Sequence, residues 1–288
     1  MSPNLVGALL MMGSMACFTL NDIFLKMTAG TVPLFQLLAM RSAMTCVLIL
    51  LARNRLGGIH FHISVRDWCL IGARACSEVL IAYFFLNALF NMPIANLTAI
   101  LQVVPLAVTL GSLIFLREAV GWQRLTAIAV GFLGVMLIVK PGADGFNTWS
   151  LYALIAMFGV TFRDLITRQL SPNVPSITVA LVTAGTVTGA AFLASLSTPW
   201  VTFGPATGLL ISGSAVAILG GYFFSVQVMR SGDISFTAPF RYTGLIFALV
   251  AGWFVFGEWP GVLTLIGAVI VVATGVFTFY RERRVSCA

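Results

Sequence analysis

Arg74 and Glu78 stand four residues apart inside an otherwise apolar run, and Arg163 adjoins Asp164 inside another. Residues four apart share one helix face, so Arg74 and Glu78 are placed to pair. Arg41 and Arg241 are isolated cations in apolar stretches. A guanidinium presents a planar fork of donors that suits a carboxylate, and a carboxylate answers an ammonium. Two readings of these groups compete. In one they hold a small zwitterion, arginine on its carboxylate and Glu78 on its ammonium, while Arg74, Arg163 and Asp164 close one end of its path. In the other they are mutually satisfied pairs that lock helices together, as buried charges commonly are.

Polar and small residues also recur at helical spacing. Thr98, Gln102, Pro105, Thr109 and Ser112 step by three or four, as do Thr237, Arg241, Gly244, Ala248 and Gly252. Each set therefore shares one helix face, suited to lining a cavity or to close packing. Tyr83 and Asn87 point roughly opposite to Arg74 and Glu78, at about 100° per residue. Both sets cannot face one narrow cavity on a straight helix; the charged face is the better choice for the interior, with Tyr83, Asn87 and Tyr222 as second choices.

Other chemistry is missing. The chain has no GxxxxGK[ST] loop, no HExxH and no GxSxG. Its cysteines (17, 46, 69, 76 and 287) show no CxxC spacing, and His60 and His62 flank Phe61 in a basic loop with no further ligands nearby. No metal or cofactor is expected, and no enzymatic activity.

Something apolar must position these groups. The chain has 288 residues, of which 59% are hydrophobic and 9% charged, with mean hydropathy +1.02 and 23 Phe. Soluble domains carry about 25% charged residues. A soluble enzyme, a nucleic-acid-binding domain and a disordered chain are excluded. The expected class is all-α and polytopic, with the lipid bilayer as its surroundings.

A helix that crosses a bilayer needs about 20 apolar residues. Charges, prolines and polar clusters divide the chain into ten such spans: 5–25, 33–52, 68–88, 95–115, 122–139, 150–169, 175–196, 206–229, 236–256 and 262–280. With the N-terminus cytoplasmic, one side holds Arg53, Arg55, Arg66, Arg117, Arg124, Arg168, Arg230, Arg281, Arg283 and Arg284, and the other only Lys26 and Lys140. That bias makes both termini cytoplasmic, and it accounts for the net charge of +7 without nucleic acid. By helical rise, Glu78 lies about 15 Å from the cytoplasmic side, Arg74, Asp164 and Arg241 roughly 8–9 Å from it, and Arg41 near the middle. Asp22 falls near the outer end.

The chain resembles itself at a displacement of about 140 residues. Thr19-Leu20-Asn21-Asp22, then Lys26, echoes Thr161-Phe162-Arg163-Asp164, then Arg168. Ala82-Tyr83-Phe84-Phe85 echoes Gly221-Tyr222-Phe223-Phe224, and Phe115-Leu116-Arg117-Glu118 echoes Val255-Phe256-Gly257-Glu258. The expected halves are residues 1–141 and 142–288, five spans each. An odd number of spans inverts the second copy, which is the plan of secondary transporters with a site near the midplane.

The paired glutamates Glu118 and Glu258, each followed by a glycine-rich span (Gly131-Phe132-Leu133-Gly134-Val135 and Gly267 to Gly275), resemble the ten-helix class of the drug/metabolite transporter superfamily, close to its YddG-like amino-acid exporters. The resemblance implies a basket-like bundle whose central cavity is lined mainly by spans 1, 3, 4, 6, 8 and 9. It also implies a small-molecule substrate, with amino acids exported across the inner membrane as the first choice. Import of riboflavin or S-adenosylmethionine is the alternative, ahead of an intramembrane enzyme or a channel. The expected substrate-binding residues are Glu78, Thr98, Gln102, Arg241, Arg41, Tyr83 and Asn87, and the expected gating residues are Arg74, Arg163 and Asp164. A monomer suffices, since ten helices can enclose a path alone.

Overall fold

The computed structural model describes residues 3–52, 58, 61–115, 121–139, 147–230 and 234–286. Among these there are helices and turns and no strand. The helices are α1 (Pro3–Met27), α2 (Leu34–Ala52), α3 (Val65–Asn91), α4 (Ile94–Leu101), α5 (Val104–Phe115), α6 (Trp122–Val139), α7 (Thr148–Thr167), α8 (Ser176–Ser195), α9 (Pro205–Arg230), α10 (Ile234–Thr237), a 3-10 turn (Ala238–Tyr242), α11 (Thr243–Phe256) and α12 (Val262–Ser286). Eight segments are long and apolar enough to cross a membrane, and Leu125–Val139 and Val262–Thr278 add two shorter apolar helices. Each predicted span finds its helix. The protein is an all-α polytopic membrane protein.

Local chemistry sets the boundaries. Ser64 caps α3, accepting from Asp67 N at 3.1 Å and donating to Asp67 Oδ2 at 2.7 Å. Asn147 caps α7 through Trp149 N at 3.2 Å. Gly257, at φ 64°, ends α11 in the left-handed conformation, and Glu258 N then bonds Gly252 O at 2.8 Å.

Two spans are interrupted, which the regular stripes do not foretell. The fourth breaks between Leu101 and Val104, and the ninth passes through the 3-10 turn. Proline causes both breaks. Pro105 offers no N–H to the Leu101 carbonyl, Pro239 none to that of Ser235, and each ring crowds the preceding turn. The faces predicted to run straight through these spans are therefore split.

The packing is closed under exchange of the two sets of five spans. α1 packs on α9 and α3 on α7, and these pairings exchange with one another; α2 on α8, α4 on α11 and α6 on α12 map onto themselves. Secondary pairings follow the same rule, α3 with α8 matching α2 with α9. Leu37, Leu86, Leu89, Ile94, Leu97, Ile100, Leu106 and Met157 are fully buried in one core to which helices of both halves contribute. Large apolar residues such as Leu51, Leu209 and Val262 are exposed, as a lipid-facing surface requires.

α6 and α12 cross at glycines. A Cβ on Gly134 would lie 2.9 Å from Gly267 O, and one on Gly267 would collide with Gly134 O. Small residues let the backbones approach. Gly267→Leu is expected to destabilise the bundle by at least about 1–3 kcal/mol through overpacking. Gly185→Ala, where the added atom meets nothing within 4 Å, should leave the thermal midpoint in detergent unchanged or slightly raised. Equal midpoints for Gly267→Leu and the parent would show that the crossing is loose.

Candidate functional site

Six charged side chains from four helices, with Tyr222 of a fifth, gather inside the bundle. Glu78 on α3 accepts from Arg163 Nη1 on α7 at 3.1 Å. Arg163 also donates to Asp164 Oδ1 from Nε at 3.0 Å and Nη2 at 2.9 Å, so one guanidinium serves two carboxylates. Arg74 does not pair with Glu78, contrary to the expectation from spacing. It donates instead to Thr167 Oγ1 at 3.0 Å and Thr183 Oγ1 at 2.6 Å. The reason is tertiary: α7 lies along α3 and brings a competing guanidinium to Glu78, while threonines of α7 and α8 offer Arg74 neutral acceptors.

Arg41 on α2 stands within electrostatic reach of Asp22, Glu78 and Tyr222. Its Nε is buried and has no hydrogen-bond partner among the described residues. Asp22 on α1 faces Arg41 and accepts from Asn21 Nδ2 at 2.9 Å. Asp22, which depth alone sets apart near one end, thus joins the cluster through Arg41. Tyr222 on α9 lies within electrostatic reach of Glu78, Arg163, Arg74 and Arg41, with Phe18 edge-on at 5.7 Å. By formal charge the cluster balances, with Arg41, Arg74 and Arg163 against Asp22, Glu78 and Asp164. Asp22 is the member missing from the expected site, and Tyr222 ranks there only as a second choice; the repeat motifs, in which both occur, are the signal that draws attention to them.

The remaining expected site residues lie elsewhere. Gln102, 6% exposed at the break of the fourth span, donates to Arg241 O at 3.4 Å, and Gly244 packs beside it. The interruptions of the two equivalent spans therefore meet, but Arg241 contributes its backbone there and its guanidinium has no ion pair among the described residues. Thr98 is half-buried on α4, its carbonyl accepting from Gln102 N at 3.0 Å. Ser112 accepts from Arg168 Nη1 at 2.7 Å. Tyr83 stacks on Phe35 at 6.0 Å and lies near Phe84 and Tyr152, while Asn87 donates to Tyr83 O at 2.7 Å. That aromatic patch is distinct from the charge cluster, as the opposed faces of α3 require. A groove of about 530 Å³ along the 3-10 turn, α11 and α12 is lined mainly by apolar side chains such as Leu245, Ile246 and Val269. It contains none of the six charges and is not the candidate site.

A second polar centre lies at the end of the bundle where α1, α3 and α11 finish. Lys26 donates to both oxygens of Glu258 at 2.8 Å and to Met92 O at 2.8 Å. Glu118, the repeat counterpart of Glu258, lies outside the described residues.

Among the described residues, eight membrane-length apolar segments and two shorter apolar helices, with a charge cluster among them, form the kind of helical bundle that membrane transporters use. Residues 5–140 and 147–280 each match the EamA-like transporter family, and the chain belongs to it. Among relatives, the chain is 31% identical over 195 residues to the S-adenosylmethionine uptake transporter of Rickettsia conorii, covering 67% of this chain and 65% of that one. It is 32% identical over 197 residues to a riboflavin transporter of Vibrio cholerae, covering 68% and 66%. It is 26% identical over 274 residues to the pseudopaline exporter CntI of Pseudomonas aeruginosa, covering 92% and 93%. The first two alignments thus span about two thirds or slightly less of the relatives' lengths. A solved crystal structure superposes with a TM-score of 0.68 over 97% of this chain and 98% of the other at 16% identity, which supports the fold. The family and these named relatives are transporters, not enzymes.

Proposed function

We propose that this protein is a secondary transporter that exports small zwitterionic metabolites, amino acids first among them, across the inner membrane by alternating access. The observation that carries this reading is the charge-balanced cluster in which the Arg41 Nε is buried and, among the described residues, unpartnered, within electrostatic reach of Asp22. A carboxylate on Arg41 and an ammonium on Asp22 or Glu78 would give the cluster a positive and a negative group at once. The total charge in the low-dielectric interior would stay at zero, so the desolvation cost is least for such a solute. Arg163 and Asp164, tied to Glu78, and Arg74, tied to Thr167 and Thr183, hold α3, α7 and α8 around it. Gln102 and Arg241 join the interrupted spans beside the path, the discontinuous-helix arrangement that secondary transporters use at their sites.

The halves are residues 1–141 and 142–288, and the arginine-rich side is cytoplasmic. The protein acts as a monomer. Purified protein in liposomes should move labelled amino acids down their gradient. Absence of movement across a broad panel would overturn the amino-acid assignment. Likeness to the S-adenosylmethionine and riboflavin transporters favours a second reading, import of a larger solute. Counterflow with those two labels separates the readings, since S-adenosylmethionine shares the amino-acid head group and riboflavin does not.

A further inference from the structure

We propose that Lys26, Glu258 and the Met92 carbonyl form a gate that must open for solute to leave the charge cluster at their end of the bundle; this rests on the transport reading above. Lys26 occupies the last turn of α1 and is 9% exposed. An ammonium has three protons, and it has three acceptors here: Met92 O, Glu258 Oε1 and Glu258 Oε2, each at 2.8 Å. The Phe256 ring covers the ammonium from 5.0 Å. Glu258 is held in turn by the left-handed Gly257 and accepts from Ile94 N at 3.3 Å. One ion pair thus joins α1 and the α3–α4 turn of the first half to the end of α11 in the second.

Its place relative to the cluster makes it a gate as well as a fastening. Asp22 and Lys26 are four residues apart on α1, so Lys26 sits on the same face about 6 Å further along the axis. Solute leaving Asp22 and Arg41 toward that end meets the Lys26 pair next. The second half repeats the spacing in Asp164 and Arg168, and Arg168 donates to Ser112 Oγ at 2.7 Å at the opposite end. A cation four residues beyond each cluster aspartate therefore stands toward a different end of the bundle. That is the disposition alternating access requires, with the Lys26 end closed in this structure.

The test follows access rather than solute. In a chain whose own cysteines are replaced by serine, Tyr222→Cys places a thiol at the cluster. A membrane-impermeant charged thiol reagent is then applied from the Lys26 side of proteoliposomes. Lys26→Met should raise the labelling rate at least tenfold, and the exchange Lys26→Glu with Glu258→Lys should return it toward the parent rate. A short thiol-to-thiol cross-link between Lys26→Cys and Glu258→Cys should abolish labelling until the linker is cleaved. Should Lys26→Met fail to fold, the cross-link alone decides. An unchanged rate in Lys26→Met, or equal rates in the cross-linked and cleaved forms, overturns the gate and leaves a static fastening. No solute enters this measurement, so failure of the amino-acid panel does not bear on it.

Discussion

Replacing Arg163 with methionine is expected to cost about 3–5 kcal/mol of stability, the larger effect of any single change in the cluster. Arg163 is the sole cation in ion-pair contact with both Glu78 and Asp164 among the described residues. Its loss strands two carboxylates in the bundle, where each charge keeps its desolvation cost and loses its compensation. The three side chains retain 19%, 20% and 28% exposure, which puts the expectation at the lower end of that range. The thermal midpoint in detergent should fall by several degrees. Adding Glu78→Gln and Asp164→Asn should restore most of the loss, because neutral amides need no counter-ion. A single Arg163→Met variant as stable as the parent would mean that the carboxylates are solvated or protonated, and the neutrality of the cluster would no longer constrain the solute.

Arg41→Gln is expected to weaken solute binding by roughly 10- to 100-fold, the value of one charge-assisted hydrogen bond of about 1.5–3 kcal/mol. Among the described residues the Arg41 Nε has no hydrogen-bond partner, so the change removes little hydrogen bonding there. Arg41→Lys keeps the charge but loses the planar fork, and should fall between parent and Arg41→Gln. The measurements are half-saturation of labelled amino acid in liposomes and the thermal midpoint of the same preparations. Loss of binding with a retained midpoint assigns Arg41 to the solute. A parallel fall in both assigns it to holding Asp22 and α1 in place, and unchanged binding removes it from the site.

The ten spans are legible along the chain, though not their exact ends, because hydrocarbon admits few backbone arrangements. Each crossing must satisfy its own N–H and C=O groups, so apolar length and the positions of Pro93, Pro175 and Gly257 nearly specify the helices. The repeat is legible through the echoes around Asp22 and Asp164 and around Tyr83 and Tyr222, and the exchange symmetry of the packing agrees with them. The two interruptions are partly legible: Pro105 and Pro239 announce them, yet a regular polar stripe through each span conceals the break.

Partner choice among the charges is a different matter. Arg74 and Glu78 share a helix face, and nothing in that spacing reveals that α7 brings Arg163 closer to Glu78. Lys26 and Glu258 stand 232 residues apart, and their pairing depends on α1, α3 and α11 ending together. An apolar helix can be read from its own residues because its surroundings are uniform lipid. A buried charge takes its role from whichever opposite charge or hydroxyl a neighbouring helix supplies within about 3 Å, and that depends on how the helices pack.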